Sequence, residues 1–163
     1  MSARIALAAG TWLVLALSAP ACAQVISHRD VGSHMATAIV AAAVAKCEQN
    51  GGGLTVAVVD RQGQLRALLV ADNASPHHVE LAQRKAYTAR TFGRTSADWT
   101  SRTEPGSELA AQRQLEHVIA LRGGVPIKVG DETIGAVGVS GSTSGGDEAC
   151  AMAGVAAVAD QLK

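Results

Sequence analysis

The stretch Asp72–Phe92, DNASPHHVELAQRKAYTARTF, does most to constrain the fold. Ser75-Pro76 reads as a helix start. Serine suits the cap, and proline suits the first helical position, where its missing N–H is not needed. Gly93 reads as the stop. In between, His77, Leu81, Arg84 or Lys85, and Thr88 share one face by the three-four rule. His78, Ala82, Lys85 and Ala89 share the neighbouring face. This helix is expected to present the binding site, with the glycine-punctuated stretch Gly123–Cys150 as its counterpart.

The other elements follow from periodicity and turn chemistry. Ser27 and Asp30 are a plausible cap pair. Val31, Met35, Ala38, Ile39 and Ala42 then repeat at three and four, giving a helix that ends near Asn50-Gly51. Leu54–Val59 and Leu65–Val70 are β-branched apolar runs around Asp60-Arg61-Gln62-Gly63, a hairpin whose first strand is expected to be central. Thr95 or Ser96 caps a short helix through Trp99. Thr103–Gln114 is polar, with a turn at Pro105-Gly106. Three strands are then expected at His117–Leu121, Val125–Val129 and Thr133–Val139, followed by a closing helix from Asp147. Gly135 and Gly138 inside the last strand signal close approach by another backbone or by a ligand. The order α-β-β-α-α-β-β-β-α implies an α+β fold, an antiparallel sheet flanked by helices.

At 163 residues, the chain has the length of one domain. Lys plus Arg and Asp plus Glu are 14 each, so no basic footprint argues for nucleic acid. Trp12, Tyr87, Phe92 and Trp99 are the whole aromatic complement, too few for stacking platforms.

Residues 1–23 read as a secretory signal: Arg4, then the apolar run Ile5–Leu17, then Ala21-Cys22-Ala23 as the cleavage site. The mature domain is then 24–163, periplasmic or secreted, with no membrane association after cleavage. Cys47 and Cys150 remain. In an exported protein they are a candidate disulfide, the alternative being two buried thiols.

Standard catalytic constellations are missing: no C-x-x-C, no H-E-x-x-H and no G-K-[ST] after a glycine loop. What remains is His77-His78 at a helix start. Imidazole is a common ligand of haem iron and transition metals. Free N–H groups at a helix start suit carboxylates, and Arg84, Lys85 and Arg90 follow on the same helix. The bland alternative is one packed and one solvated histidine.

Three ordered motifs carry a resemblance. They are Ala57-Val58-Val59-Asp60, Arg84-Lys85-Ala86-Tyr87-Thr88-Ala89, and Gly123-Gly124-Val125-Pro126-Ile127 running through to Asp147-Glu148. Together they resemble the GlcG/HbpS-like haem-binding family over nearly the whole mature chain. The same module resembles the C-terminal domain of one class of corrinoid adenosyltransferases.

The resemblance implies a small oligomer-forming domain that binds haem or is linked to its degradation. It implies a threonine at the haem iron in one branch, matched by Thr88. A histidine near the first helix serves in others, for which His34 is the local candidate. Iron-binding relatives use an acidic pair near the second helix; here Glu80 is kept and His77 stands in place of its partner, which favours histidine ligation.

The expectation is therefore an exported homo-oligomer that binds haem or a similar carboxylated ligand. His77 and Thr88 are the metal-contact candidates, and His78, Arg84, Lys85, Gly135 and Gly138 line the site. Two alternatives stay open: an enzyme acting on a small carboxylated metabolite with His77 or His78 as general base, and an oligomeric accessory protein.

Overall fold

A computed structural model describes residues 24–48 and 53–163. The signal-peptide reading of 1–23 and the expected helix end at Asn50-Gly51 lie outside those residues. The elements are α1 (Ser33–Glu48), β1 (Thr55–Val59), β2 (Leu65–Val70), α2 (His77–Phe92), α3 (Ser96–Arg102), β3 (Gly124–Val129), β4 (Glu132–Ser140) and α4 (Ser144–Ala156), with 3-10 turns at Ala110–Gln114 and Ala159–Gln161.

The sheet has strand order β2-β1-β4-β3, antiparallel throughout. β1 is central, and all five of its residues are buried because helices cover both faces. On one face Val56, Val58, Val137 and Val139 pack with Ile39, Ala43 and Val44 of α1 and with Cys150 and Ala151 of α4. On the other face Val59 and Ala136 pack with Ala86 and Ala89 of α2. The architecture is thus the expected α+β one, in three layers.

Close helix approach explains two glycines. A Cβ on Gly138 would stand 2.1 Å from the Ala82 carbonyl oxygen, and one on Gly124 would stand 2.1 Å from that of Lys85. Since Gly124 pairs with Gly138 across β3 and β4, two adjacent sheet positions without side chains form the bed for α2. Gly135 faces the opposite layer, where a Cβ would meet Val31 Cγ2 and Val59 O at 2.5 Å. The nearest neighbours of Gly135 and Gly138 are therefore protein atoms, which accounts for both without a ligand.

The β1–β2 hairpin forms as its sequence implies. Gly63 has φ 77° and donates its N–H to the Asp60 carbonyl at 3.0 Å. The Asp60 carboxylate also accepts from the amides of Gln62 and Gln64.

Three local expectations change. Asp30 does not cap α1. Its carboxylate accepts the amides of Val31 and Arg61, tying the segment before α1 to the hairpin turn. α4 begins at Ser144, capped by Thr143, whose side chain accepts from the Gly146 amide. Asp147 lies within that helix and is buried.

The third change concerns His117–Leu121, which forms no strand. The described sheet has four strands, and the order is α-β-β-α-α-β-β-α. Backbone groups of this segment are satisfied by α2 side chains instead of a ladder. Arg84 Nη2 donates to the Val118 carbonyl at 2.7 Å, and Ile119 N–H donates to Thr88 Oγ1 at 2.9 Å. His117, at φ 64°, is in the left-handed region, incompatible with an extended strand.

Cys47 and Cys150 are joined by a disulfide with Cα atoms 5.6 Å apart, linking the end of α1 to α4. The two helices pack tightly: a Cβ on Gly154 would sit 2.8 Å from the Ile39 carbonyl oxygen.

Candidate functional site

α2 starts at His77, with Pro76 already in helical conformation. Ser75 contributes its carbonyl, which accepts from the His78 amide at 3.0 Å, and no side chain caps this end. One face of α2 lies on the sheet through Ala82, Lys85, Ala86 and Ala89, all buried. Val79, Gln83 and Tyr87, at steps of four, fall on a different face, which forms the floor of a cleft of about 1010 Å³. One side is the hairpin turn, Gly63 to Leu65; the other is the segment from Arg113 to His117. That volume is at the upper end of the range for small-molecule sites, roughly 300–1,000 Å³.

The Arg113–His117 segment is held by several side chains. Arg113 donates to the Thr100 carbonyl at 2.8 Å and to Thr103 Oγ1 at 3.1 Å. Trp99 Nε1 donates to Gln112 Oε1 at 3.3 Å. The Arg84 and Thr88 bonds to Val118 and Ile119 fix the far end. His117 is set between these anchors. Its ring stands edge-on to Tyr87, with centroids 5.6 Å apart, and its Nε2 lies 3.5 Å from Glu116 Oε1. Both partners of that pair are mostly exposed, so the pair is weak and leaves the imidazole able to turn.

The cleft mixes apolar and charged surface. Leu65 and Leu115 are 44% and 52% exposed and line it together with Val79. Glu80, Arg84, Arg113 and Glu116 supply charge. Arg84 bridges Glu80 at 3.0 Å, and its Nε is buried with no hydrogen-bond partner among the described residues. Among the described residues no group of three or more His, Cys, Asp and Glu side chains is placed to hold a bare metal ion.

The residues singled out from sequence divide into three sets. Arg84 lines the cleft. Thr88 and Lys85 are buried and engaged within the protein. Thr88 Oγ1 donates to the Arg84 carbonyl at 2.8 Å while accepting from Ile119, and Lys85 Nζ bonds Asp147 Oδ2 at 2.8 Å and the Val139 carbonyl at 2.9 Å. Lys85 is 3% exposed, so its ammonium serves the fold and does not reach a ligand.

His77 and His78 adjoin the cleft through Pro76 and are not among its walls. His77 is exposed and stacked edge-on to His78, whose Nδ1 is 3.3 Å from the Gly53 carbonyl oxygen. His34 is exposed near the start of α1. His117, Tyr87 and Arg113 are cleft residues that sequence reasoning passed over. The signal for Tyr87 was present in its four-residue step from Gln83. His117 was read as the start of a strand.

The fold has counterparts among known proteins. The GlcG protein of Escherichia coli is 34% identical over 110 residues, which cover 68% of this chain and 81% of GlcG. A crystal structure of Streptomyces reticuli HbpS, in a doubly substituted form, superposes with TM-score 0.78 at 29% identity, covering 85% of this chain and 96% of that one. A PduOC–haem complex superposes with TM-score 0.72 at 25% identity, covering 78% and 94%. Residues 31–156 match the family described as haem degrading protein HbpS-like, and the chain belongs to that family.

Proposed function

We propose that the chain is a haem-binding protein whose site is the cleft between α2, the β1–β2 turn and the Arg113–His117 segment. The observation that carries the proposal is His117: a cleft-lining imidazole, held in the left-handed region against Tyr87. A non-glycine residue there costs on the order of 1–3 kcal/mol, and such strain concentrates at functional sites.

The residues fit the group. Leu65, Val79 and Leu115 would offer apolar contact to a macrocycle, His117 would offer a ring nitrogen to its iron, and Arg84 and Arg113 would offer donors to its carboxylates. Bound haem would supply the redox chemistry. The chain's own residues position it: Tyr87 limits how far the imidazole turns, and Thr88 and Arg84 hold the segment that carries it. His77, next to the cleft, would be the alternative nitrogen donor. The family membership and the haem complex of PduOC support the reading.

Titration with hemin tests it. A saturable Soret band that shifts in His117→Ala supports the site, and no band at micromolar protein sinks it.

The Glu116–His117 pair favours a second reading, an enzyme that acts on a small carboxylated metabolite. A carboxylate beside an imidazole suits a general base, with Arg84 to hold the substrate. Turnover of such a metabolite without haem would select it.

Export and self-association belong to the same proposal. The Cys47–Cys150 bond supports an oxidising compartment. β2, at one end of the sheet, supports assembly: Leu65, Leu68 and Val70 on it are exposed.

A further inference from the structure

Tyr87 and Gly63 border a second pocket as well, of about 240 Å³, whose other walls are Arg61, Gln62, Arg90 and Thr91. Arg90 and Thr91 lie three and four residues beyond Tyr87, so the cleft-facing side of α2 runs on into this pocket. Arg61 reaches it from the hairpin turn. Two arginines thus share the walls of one small space.

Their partners are unequal. Arg61 pairs with the Glu132 carboxylate and lies 3.4 Å from the Arg29 carbonyl oxygen. Arg90 Nε is buried and has no hydrogen-bond partner among the described residues. The carboxylates near enough to act on Arg90 electrostatically are those of Asp30 and Asp60, and both are engaged elsewhere. Asp30 Oδ1 accepts the amides of Val31 and Arg61 at 2.7 and 2.9 Å. Asp60 Oδ1 accepts those of Gln62 and Gln64 at 2.8 and 2.9 Å, and its Oδ2 lies 3.6 Å from Arg66 Nε. Burial first, and then the neighbouring Arg61 charge, hold Arg90 below the usual arginine value.

A buried donor without an acceptor and a like-charged neighbour both oppose folding. If Arg90 turns its Nε toward the pocket, a planar oxyanion held there between the two arginines would relieve both, because the arginine fork matches carboxylate and phosphate geometry.

We infer that Arg90 and Arg61 form an oxyanion subsite, adjoining the main cleft at Tyr87 and Gly63, that takes a carboxylate or phosphate group of the ligand. Gly63 contributes by lacking a side chain: a Cβ there would press on the Tyr87 ring at 2.8 Å. For haem in the main cleft, the group would be a propionate; that assignment alone rests on the proposed function.

The first arm of the test needs no haem. Wild type, Arg90→Gln and Arg90→Lys are titrated with sodium phosphate and with sodium acetate at constant ionic strength, against sodium chloride. The melting temperature and the Arg90 Nε–H resonance are followed. In wild type the oxyanions raise the melting temperature and move the resonance, and chloride does neither. Arg90→Lys keeps part of the response and Arg90→Gln loses it, while Arg90→Gln in chloride melts no lower than wild type. The stronger responder identifies the group. A wild-type resonance that ignores both oxyanions, or a full response in Arg90→Gln, overturns the subsite. The resonance decides even if a variant fails to fold.

The second arm compares hemin with its dimethyl ester. Hemin binds wild type more tightly, and Arg90→Gln removes the difference, roughly ten-fold or more for a charge-assisted hydrogen bond. An undiminished preference in Arg90→Gln overturns the propionate assignment. Failure of hemin to bind wild type overturns the haem reading and leaves the first arm standing.

Discussion

The Thr88 hydroxyl accepts the Ile119 amide at 2.9 Å while donating to the Arg84 carbonyl at 2.8 Å. With both roles filled and the residue fully buried, Thr88 acts on the cleft through the segment it holds. Sequence resemblance suggested contact with iron; the hydrogen bonds suggest positioning. Thr88→Val keeps the shape and leaves the Ile119 N–H unsatisfied, which should cost about 1–3 kcal/mol in urea unfolding. Hemin should bind more weakly with an unchanged Soret maximum. A displaced maximum would return Thr88 to the iron.

His117 should show a trade between stability and binding. His117→Gly removes the left-handed strain and the imidazole together. The variant should be as stable as wild type or more so, by up to roughly 1 kcal/mol. It should bind hemin at least ten-fold less well, with a shifted Soret band. His77→Ala should change neither. If His77→Ala moves the band and His117→Gly does not, His77 holds the haem instead.

Lys85 and Asp147 form a buried ion pair, with side chains 4% and 3% exposed, across α2 and α4. The Asp147 carboxylate also accepts the Ser142 amide at 2.9 Å, and Lys85 also binds Val139 O, so each charge has a second partner. Removing one member strands the other. Lys85→Met should therefore destabilise by about 3–5 kcal/mol. In a double-mutant cycle with Asp147→Asn, the losses should fall well short of adding. Additive losses in urea midpoints would show that the pair is not coupled.

Much of this fold could be read from local pattern. The apolar run Leu54–Val59 announces a strand buried on both faces, and Asp60–Gly63 announces its turn. The close approach expected at Gly138 is met by the α2 backbone. What local pattern misses is long-range pairing. Val118-Ile119 looks like a strand because nothing nearby reveals that Arg84 and Thr88, over thirty positions away, bond its backbone. Lys85 looks like a ligand for carboxylates because its own carboxylate lies 62 positions on. The histidine pair at the start of α2 adjoins the cleft through Pro76 but does not line it. The Val79–Gln83–Tyr87 face carried the cleft in plain four-residue steps.

β2 gives the assembly prediction. Its alternation sends Ala67 and Leu69 to the core and leaves Leu68 and Val70 38% and 47% exposed. At the end of the sheet it has β1 as its strand neighbour on one side, and among the described residues no strand pairs with its other edge. A homodimer or larger species is expected in sedimentation at micromolar concentration. Leu68→Lys with Val70→Lys should shift it toward monomer without lowering the melting temperature of the monomeric fold. A wild-type monomer would refute assembly through this edge.

The disulfide gives the last prediction. Cys47 and Cys150 are separated by 103 positions, and their Cα atoms are 5.6 Å apart, within the span a bridge requires. Both residues are buried, at 2% and 0% exposure, among Ala43, Val44 and Ala151. The close approach of α1 to α4 at Gly154 brings the helices together, so the packing of the fold itself sets the two sulfurs side by side. The bond should act mainly on the unfolded chain, where closing a loop of this length contributes roughly 4–5 kcal/mol in the entropic model. Cys47→Ala/Cys150→Ala should therefore fold to the same structure and unfold at a clearly lower urea midpoint. Reductant added to native wild type should act slowly, because burial shields both sulfurs. Protein purified without reductant should take up no alkylating reagent at Cys47 or Cys150 until it is reduced, as read by intact mass. Alkylation of both residues without reductant would remove the bridge, and with it the observation that supports export.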